Sequence, residues 1–168
     1  MDFDYRATAS RHQPVPDSLN HLSGRVIGCG IEVHRRLGPG LLEHVYDRAM
    51  CVELAHCGLT FLRQVATPMV YRDVVVGEFR LDLLVEGELV VAIKSVQTLE
   101  DVFVSQVLTY LKATDRRLGL ILNFNCSTLR TGIRRVIRSS DRLSPTVLSP
   151  TGRGREAAVS GAAQAPGR

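Results

Sequence analysis

A mixed α/β domain, with a central β-sheet flanked by helices, is the fold class that this sequence predicts. Apolar residues recur at spacings of three and four over the first third of the chain. The period drops towards two after Leu59, and a helical pattern and a further apolar run return after residue 99. The 168 residues, 45% of them hydrophobic and 23% charged, suffice for one domain with a real core and are too few for two.

Each element has its own justification. Residues 1–17 are polar, carry Pro14 and Pro16, and read as a flexible arm. Leu19, Leu22, Val26, Cys29, Val33 and Leu37 then make one helical stripe, with Asp17 or Ser18 placed to cap it. Gly38-Pro39-Gly40 stops that helix, since proline lacks an amide donor and glycine tolerates left-handed angles. A second helix over 41–57 places Leu42, Val45, Tyr46, Ala49 and Met50 on its buried side and ends at Gly58. Segments 60–66, 69–76, 79–85 and 89–95 are short, rich in Val, Leu and Ile, and separated by Pro68, Gly77 and Gly87, which predicts a meander of strands. A helix over 99–113, a buried strand over 118–124 and an amphipathic helix over 129–138 follow. Beyond Ser139 the composition turns to Ser, Pro, Gly and Ala with scattered arginines. The folded domain is therefore expected to span 18–140, with 141–168 a disordered tail.

Composition narrows function only a little. A net charge of +4, from 21 basic and 17 acidic residues, permits a polyanionic partner without requiring one. Lys94 and Lys112 are the only lysines, so nineteen of the 21 basic residues are arginines. That bias suits phosphate contacts, although genomic base composition explains it more simply. Cys29, Cys51, Cys57 and Cys126 form no CxxC pair and read as buried free thiols rather than as disulfides or a zinc site. No apolar run approaches the about 18 residues of a membrane span, and the expected location is cytoplasmic.

The strand pair 79–85 and 89–95 carries the chemistry. Alternation puts Phe79, Leu81, Leu83 and Val85 on one face and Arg80, Asp82 and Leu84 on the other, while Val90, Ala92 and Lys94 oppose Leu89, Val91 and Ile93. Matching the two apolar sets requires a three-residue loop, Glu86-Gly87-Glu88, which sets Asp82 across from Ala92 and beside Lys94. A carboxylate and an ammonium on otherwise apolar strands are costly to bury unpaired. The pair is either an ion pair at a sheet edge or a remnant of a hydrolytic metal centre. In such a centre a carboxylate holds Mg²⁺ near a phosphate and a lysine orients water or stabilises developing charge.

The sequence resembles the GxxExxY proteins, a prokaryotic family assigned to the PD-(D/E)XK nuclease superfamily. The naming motif stands as Gly40-Leu41-Leu42-Glu43-His44-Val45-Tyr46 after Leu37-Gly38-Pro39. Further matches are Phe79 to Val85, Lys94, Gln106 with Tyr110 to Thr114, and Leu120 to Asn125, so that the resemblance covers about residues 19–138. It implies a restriction-endonuclease-like core and an active site of Glu43, Asp82 and Lys94, with Gln106 in support, Asp82 and Glu43 as metal-binding residues, and Mg²⁺ or Mn²⁺ as cofactor. Tyr46 and Tyr110 are the supporting tyrosines. The remaining acidic role falls on Ala92, because the family's Val-Glu-Leu-Lys reads Val91-Ala92-Ile93-Lys94 here. The following segment, often acidic in the family, carries Gln97 and Val104. With one of two metal-binding acids missing, cation affinity is expected to fall, and Lys94 is expected to pair with Asp82 directly. Glu86 and Glu88, about 10 Å away along the strands, are too distant to substitute, and Glu100 belongs to a helix start.

Three functions stay open on these residues. The first is a catalytically impaired nuclease-like protein that retains nucleic-acid binding, to DNA or RNA. The second is an active Mg²⁺-dependent nuclease with a rearranged acidic set. The third is a non-enzymatic interaction domain that binds a protein partner or a second copy through a sheet edge or the last helix. Arg130, Arg134, Arg135 and Arg138 would line one face of that last helix, as phosphate contacts, as a membrane-surface patch or as a solvated face. His34 and His44 lie outside metal-ligand spacing, and His34 reads as a packing residue.

Overall fold

The structure is a computed structural model, and it describes residues 14–139. The expected tail, and the arm up to residue 13, lie outside the described residues. The elements run α1 (Asp17–Leu37), α2 (Glu43–His56), β1 (Phe61–Tyr71), β2 (Val74–Val85), β3 (Leu89–Lys94), α3 (Asp101–Ala113), β4 (Leu118–Asn123), a short 3₁₀ turn (Leu129–Gly132) and β5 (Ile133–Ile137). The five strands form one sheet in sequential order. All neighbours are antiparallel except β3 and β4, which are parallel and joined through α3. The fold is thus a mixed sheet with helices on both faces, as the periodicities predict.

Burial explains the layering. β3 and β4 are buried on both faces, which parallel neighbours covered by helices require. On one side Leu83, Val85, Leu89, Val91 and Ile93 pack beneath Val26, Val33, Tyr46, Met50 and Leu54 of α1 and α2. On the other, Leu84, Val90, Ala92 and Ile121 pack against Val107, Tyr110 and Leu111 of α3.

Several sequence expectations are corrected. The strand segments expected before Val85 are two long strands rather than three short ones. β1 runs straight through Pro68, which the open edge of the sheet tolerates because no partner needs its missing donor. The hairpin turns instead at Arg72 and Asp73, whose φ of 47° and 64° provide the paired positive angles of a two-residue loop. The outer part of this hairpin extends past β3, which pairs only with Leu83 to Val85, and Val70, Tyr71 and Val74 to Val76 stay exposed.

The last helix is absent. Residues 133–137 form β5, which pairs with β4 from Leu118↔Ile137 to Leu122↔Ile133. The spacing of Ile133, Val136 and Ile137 suits a helix, but the buried strand β4 needs a partner for its second edge, and a β-branched segment supplies it. The expected basic helix face therefore does not exist. Arg134 and Arg135 are strand neighbours pointing to opposite faces. Arg134 donates to Ile133 O at 2.9 Å, Arg135 to Asn20 Oδ1 at 2.7 Å, and Arg138 pairs with Asp115. Arg130 lies on the 3₁₀ turn.

Smaller differences concern helix ends and cysteines. Helix α1 starts at Asp17 after Pro16 with no side-chain cap, and α2 starts at Glu43, which leaves Leu42 exposed. All four cysteines are free, but only Cys29 is buried, and Cys57 is exposed. Burial, followed by the neighbouring Cys57 thiol, pushes the Cys29 thiol up to about 12. At pH 8 its reactive thiolate is then only about one part in 10⁴. Thiol labelling mapped by mass spectrometry should modify Cys57 within minutes and Cys29 only on unfolding. Equal rates for the two would contradict this packing. Among the described residues, no helix is long and apolar enough to cross a membrane.

Candidate active site

The site is built where β2 and β3 part company. Pairs Leu83↔Val91, Leu84↔Val90 and Val85↔Leu89 close around Glu86-Gly87-Glu88, with φ of 51° at Glu86 and 66° at Gly87. This is the register read from the apolar pattern, and Asp82 and Ala92 are the first residues beyond it on the two strands. The ladder stops there. In place of a backbone partner, the Ile93 N–H donates to Asp82 Oδ2 at 2.8 Å.

A second irregularity frees Asp82 on its other side. The β1–β2 ladder pairs Arg63↔Leu83 and Val65↔Leu81 but skips Gln64 and Asp82 between them. Gln64 has a φ of 53°, a sparsely populated angle for a side-chain-bearing residue. The strand changes face across this break. Phe79 and Leu81 pack on the α3 side, whereas Leu83 and Val85 pack beneath α1 and α2, so the four do not share one face as strict alternation implied. Such breaks re-aim one side chain without ending the sheet.

Helix α2 brings its first turn to the same place. Gly38 and Gly40 take φ of 68° and 94° in the tight connection from α1. Tyr46, fully buried, fixes that connection, donating to Gly38 O at 2.7 Å and accepting from Leu41 N–H at 3.1 Å. Its ring stacks on Phe124 with centroids 4.5 Å apart. Ser95 after β3 donates to Leu41 O at 2.6 Å, tying the helix start to the strand end. Tyr46 is thus a positioning residue for Glu43, which opens the helix.

These elements enclose a cavity of about 330 Å³. Glu43, His44 and Asp47 of α2 form one wall, Arg63 and Gln64 of β1 another, and Asp82 with Ile93 the floor. Of the residues singled out in the sequence, Glu43, His44 and Asp82 meet in this cavity. Lys94 stands at its margin, with Nζ 3.9 Å from Glu43 Oε1 and 5.5 Å from the centre of the Phe103 ring. The direct Lys94–Asp82 ion pair expected from sequence is replaced by this Lys94–Glu43 contact. Glu43 keeps 47% of its side chain exposed, so the contact contributes no more than about 1 kcal/mol. Gln106 and Tyr110 lie on α3 outside the cavity walls, and Phe79 packs on Tyr110 at 5.0 Å. Ala92 is 3% exposed and embedded in the α3-side cluster.

Asp47 and Arg63 were not anticipated. Asp47 is buried, its Oδ2 accepts from Arg63 Nε at 2.6 Å, and Arg63 Nη2 contacts the same oxygen. Asp47 Oδ1 is buried without a hydrogen-bond partner. A signal existed, since Asp47 stands four residues after Glu43 and so shares its helix face, next to the buried Tyr46. Gln64 left no comparable trace.

Electrostatics follow from this crowding. Burial raises the Asp82 carboxyl above its usual range; the Ile93 amide and Lys94 oppose the shift, and Asp47 adds to it. Burial also raises Glu43, with Lys94 opposing and the charges of Asp82 and Asp47 adding. Three carboxylates therefore feel one another. Among the described residues, no three His, Cys, Asp or Glu side chains stand close enough to chelate a metal together.

Comparison with known proteins agrees with this architecture. A family model described as the PD-(D/E)XK nuclease superfamily matches residues 20–136. No curated protein and no solved structure gave a significant match. With an aspartate on a parting strand, a lysine ending the next strand, a glutamate opening the facing helix and a family match over most of its length, the chain belongs to the PD-(D/E)XK nuclease superfamily.

Proposed function

We propose that this chain is a nuclease-like protein of the GxxExxY type whose hydrolytic activity is impaired, and that nucleic acid, DNA or RNA, is the ligand it retains. The observation that carries the reading is Ala92. At the β3 position just past the ladder, where the resemblance calls for an acid, stands a methyl group that is 3% exposed among Val90, Val107 and Tyr110. No donor atom is available there.

The superfamily implies a divalent cation, and the residues present fit one in part. Asp82 lines the cavity with Asp47, whose Oδ1 is a buried oxygen without a partner, as an absent cation or its water would leave it. A bound Mg²⁺ or Mn²⁺ would polarise a phosphate and lower the pKa of water. The chain's own groups would do the rest. Lys94 would face a phosphoryl oxygen, and Glu43, held above the ordinary carboxylate range, would exchange a proton at its exposed Oε atoms. Without a second acid on β3, only Asp82 and the half-exposed Glu43 offset Lys94 against a cation placed between the strands.

Incubation of the pure protein with labelled duplex and single-stranded DNA and RNA, in millimolar Mg²⁺ or Mn²⁺, should release no product above that of Asp82→Ala, while gel shifts still detect binding. Metal-dependent cleavage lost on Asp82→Ala would overturn the reading in favour of an active nuclease. Absence of any shift would remove nucleic acid as the ligand.

A further inference from the structure

Asp47 matches none of the residues that the family resemblance assigns to the site. It is 5% exposed, it lies one helical turn beyond Glu43, and it faces the cavity that contains Asp82. Arg63 satisfies one of its oxygens and leaves the other buried and bare. A buried carboxylate oxygen with no donor costs about 1–3 kcal/mol or more, so its retention calls for a ligand. The cavity walls decide the charge of that ligand. Glu43, Asp47 and Asp82 face Arg63 across the space, and Lys94 stands at the margin against Glu43. The excess is acidic and draws a cation rather than an anion.

Size and chelation narrow the class further. Among the described residues no three acids are arranged to grip a bare ion, which disfavours a dehydrated site. A hydrated ion suits a cleft of about 330 Å³ that stays open to solvent. Mg²⁺ and Mn²⁺ favour such sites, keeping several waters and needing only one or two carboxylates.

We infer that Asp47 replaces the missing β3 acid as the second carboxylate of a hydrated divalent-cation site shared with Asp82. The cation is displaced from β3 towards α2. The inference rests on the reading of this cavity as a degenerate nuclease site, and it explains how metal binding persists while hydrolysis does not. An ion held between α2 and Asp82 is shifted from the strand that bears Lys94, and a misplacement of about 1 Å already costs roughly 100-fold in rate.

The test is titration of the full chain with Mn²⁺, counting free ion by electron paramagnetic resonance, for the parent, Asp47→Asn, Asp82→Asn and Arg63→Gln. The parent should bind one Mn²⁺ saturably. Asp47→Asn and Asp82→Asn should each weaken it by at least about tenfold, the scale on which loss of a supporting metal contact acts. Arg63→Gln should bind as tightly as the parent or more tightly, because it frees the second Asp47 oxygen. Both Asp47→Asn and Arg63→Gln break the same ion pair, so a purely structural Asp47 would make them behave alike. Equal loss in those two variants, parent-like binding by Asp47→Asn, or no saturable binding by the parent would each overturn the inference. Cleavage by the parent would defeat the functional reading but leave this binding result standing, so the two failures are distinguishable.

Discussion

Ala92→Glu is expected to raise Mn²⁺ affinity by at least about tenfold, whereas Ala92→Gln leaves it unchanged. Position 92 lies one residue beyond the last β2–β3 pair, Leu83↔Val91, and next to Ile93, whose N–H donates to Asp82 Oδ2 at 2.8 Å, so a glutamate there starts close to the Asp82 carboxylate. The new carboxylate enters a place that is 3% exposed, beside Asp82, whose charge burial already disfavours. Without metal the variant is therefore destabilised, because an unpaired buried charge costs several kcal/mol. With metal the repulsion becomes attraction, and binding at 100 times Kd restores about 2.7 kcal/mol. The glutamine variant carries the same bulk without the charge and separates the two effects. Val90 is no suitable control, since it is fully buried and a carboxylate there threatens folding itself. Calorimetric titration decides the matter, and equal affinities for the two variants would show that position 92 is not the vacant ligand position.

Tyr46→Ala should lower stability by about 3–5 kcal/mol, the range for deleting a large buried side chain. The residue has no exposed surface, stacks on Phe124 and anchors both Gly38 O and Leu41 N–H. Tyr46→Phe keeps the ring and loses only the hydroxyl, so its cost should be about 1–3 kcal/mol. Denaturant unfolding measures both. The phenylalanine variant bears on function as well. Its looser Gly38–Leu41 connection should free the start of α2, so any Mn²⁺ binding that involves Asp47 weakens beyond what the stability loss accounts for. Unchanged stability in Tyr46→Phe would mean that the hydroxyl does not hold the turn.

How much of this was legible beforehand depended on how local the cause was. The helix stop at Gly38-Pro39-Gly40, the Glu86-Gly87-Glu88 loop and the register of Leu83 to Val85 on Leu89 to Val91 follow from chain stiffness and two-residue alternation, which neighbouring residues express directly. The β5 segment failed because Ile133, Val136 and Ile137 satisfy a helical spacing while the open edge of β4, distant in sequence, demands a strand. Pro68 misled for the same reason. Whether proline breaks a strand depends on whether that strand lies at an edge, and only the assembled sheet decides this. In the site, Glu43, Asp82 and Lys94 were visible through the family resemblance. The Asp47–Arg63 pair was not, because it joins a helix to a strand through geometry that no short motif encodes. The change of strand face at Asp82 likewise arises from the skipped Gln64 partner, a backbone event without a residue signature.

The site's two halves are closed by chain loops of very different length. The Asp82–Ile93 clamp spans 11 residues within one hairpin, whereas the Ser95–Leu41 bond that seats α2 spans 54. Loop closure becomes costlier with length, and contacts that are distant in sequence form slowly. The strand half of the cavity can thus be ready on the hairpin's own timescale, with the helix half arriving as a separate docking event. Undocking of α2 would then carry Glu43 and Asp47 away together and leave Asp82 clamped on the sheet, but Tyr46, Met50 and Leu54 would leave the main core with it, so that access to the acidic cavity is tied to the stability of that core.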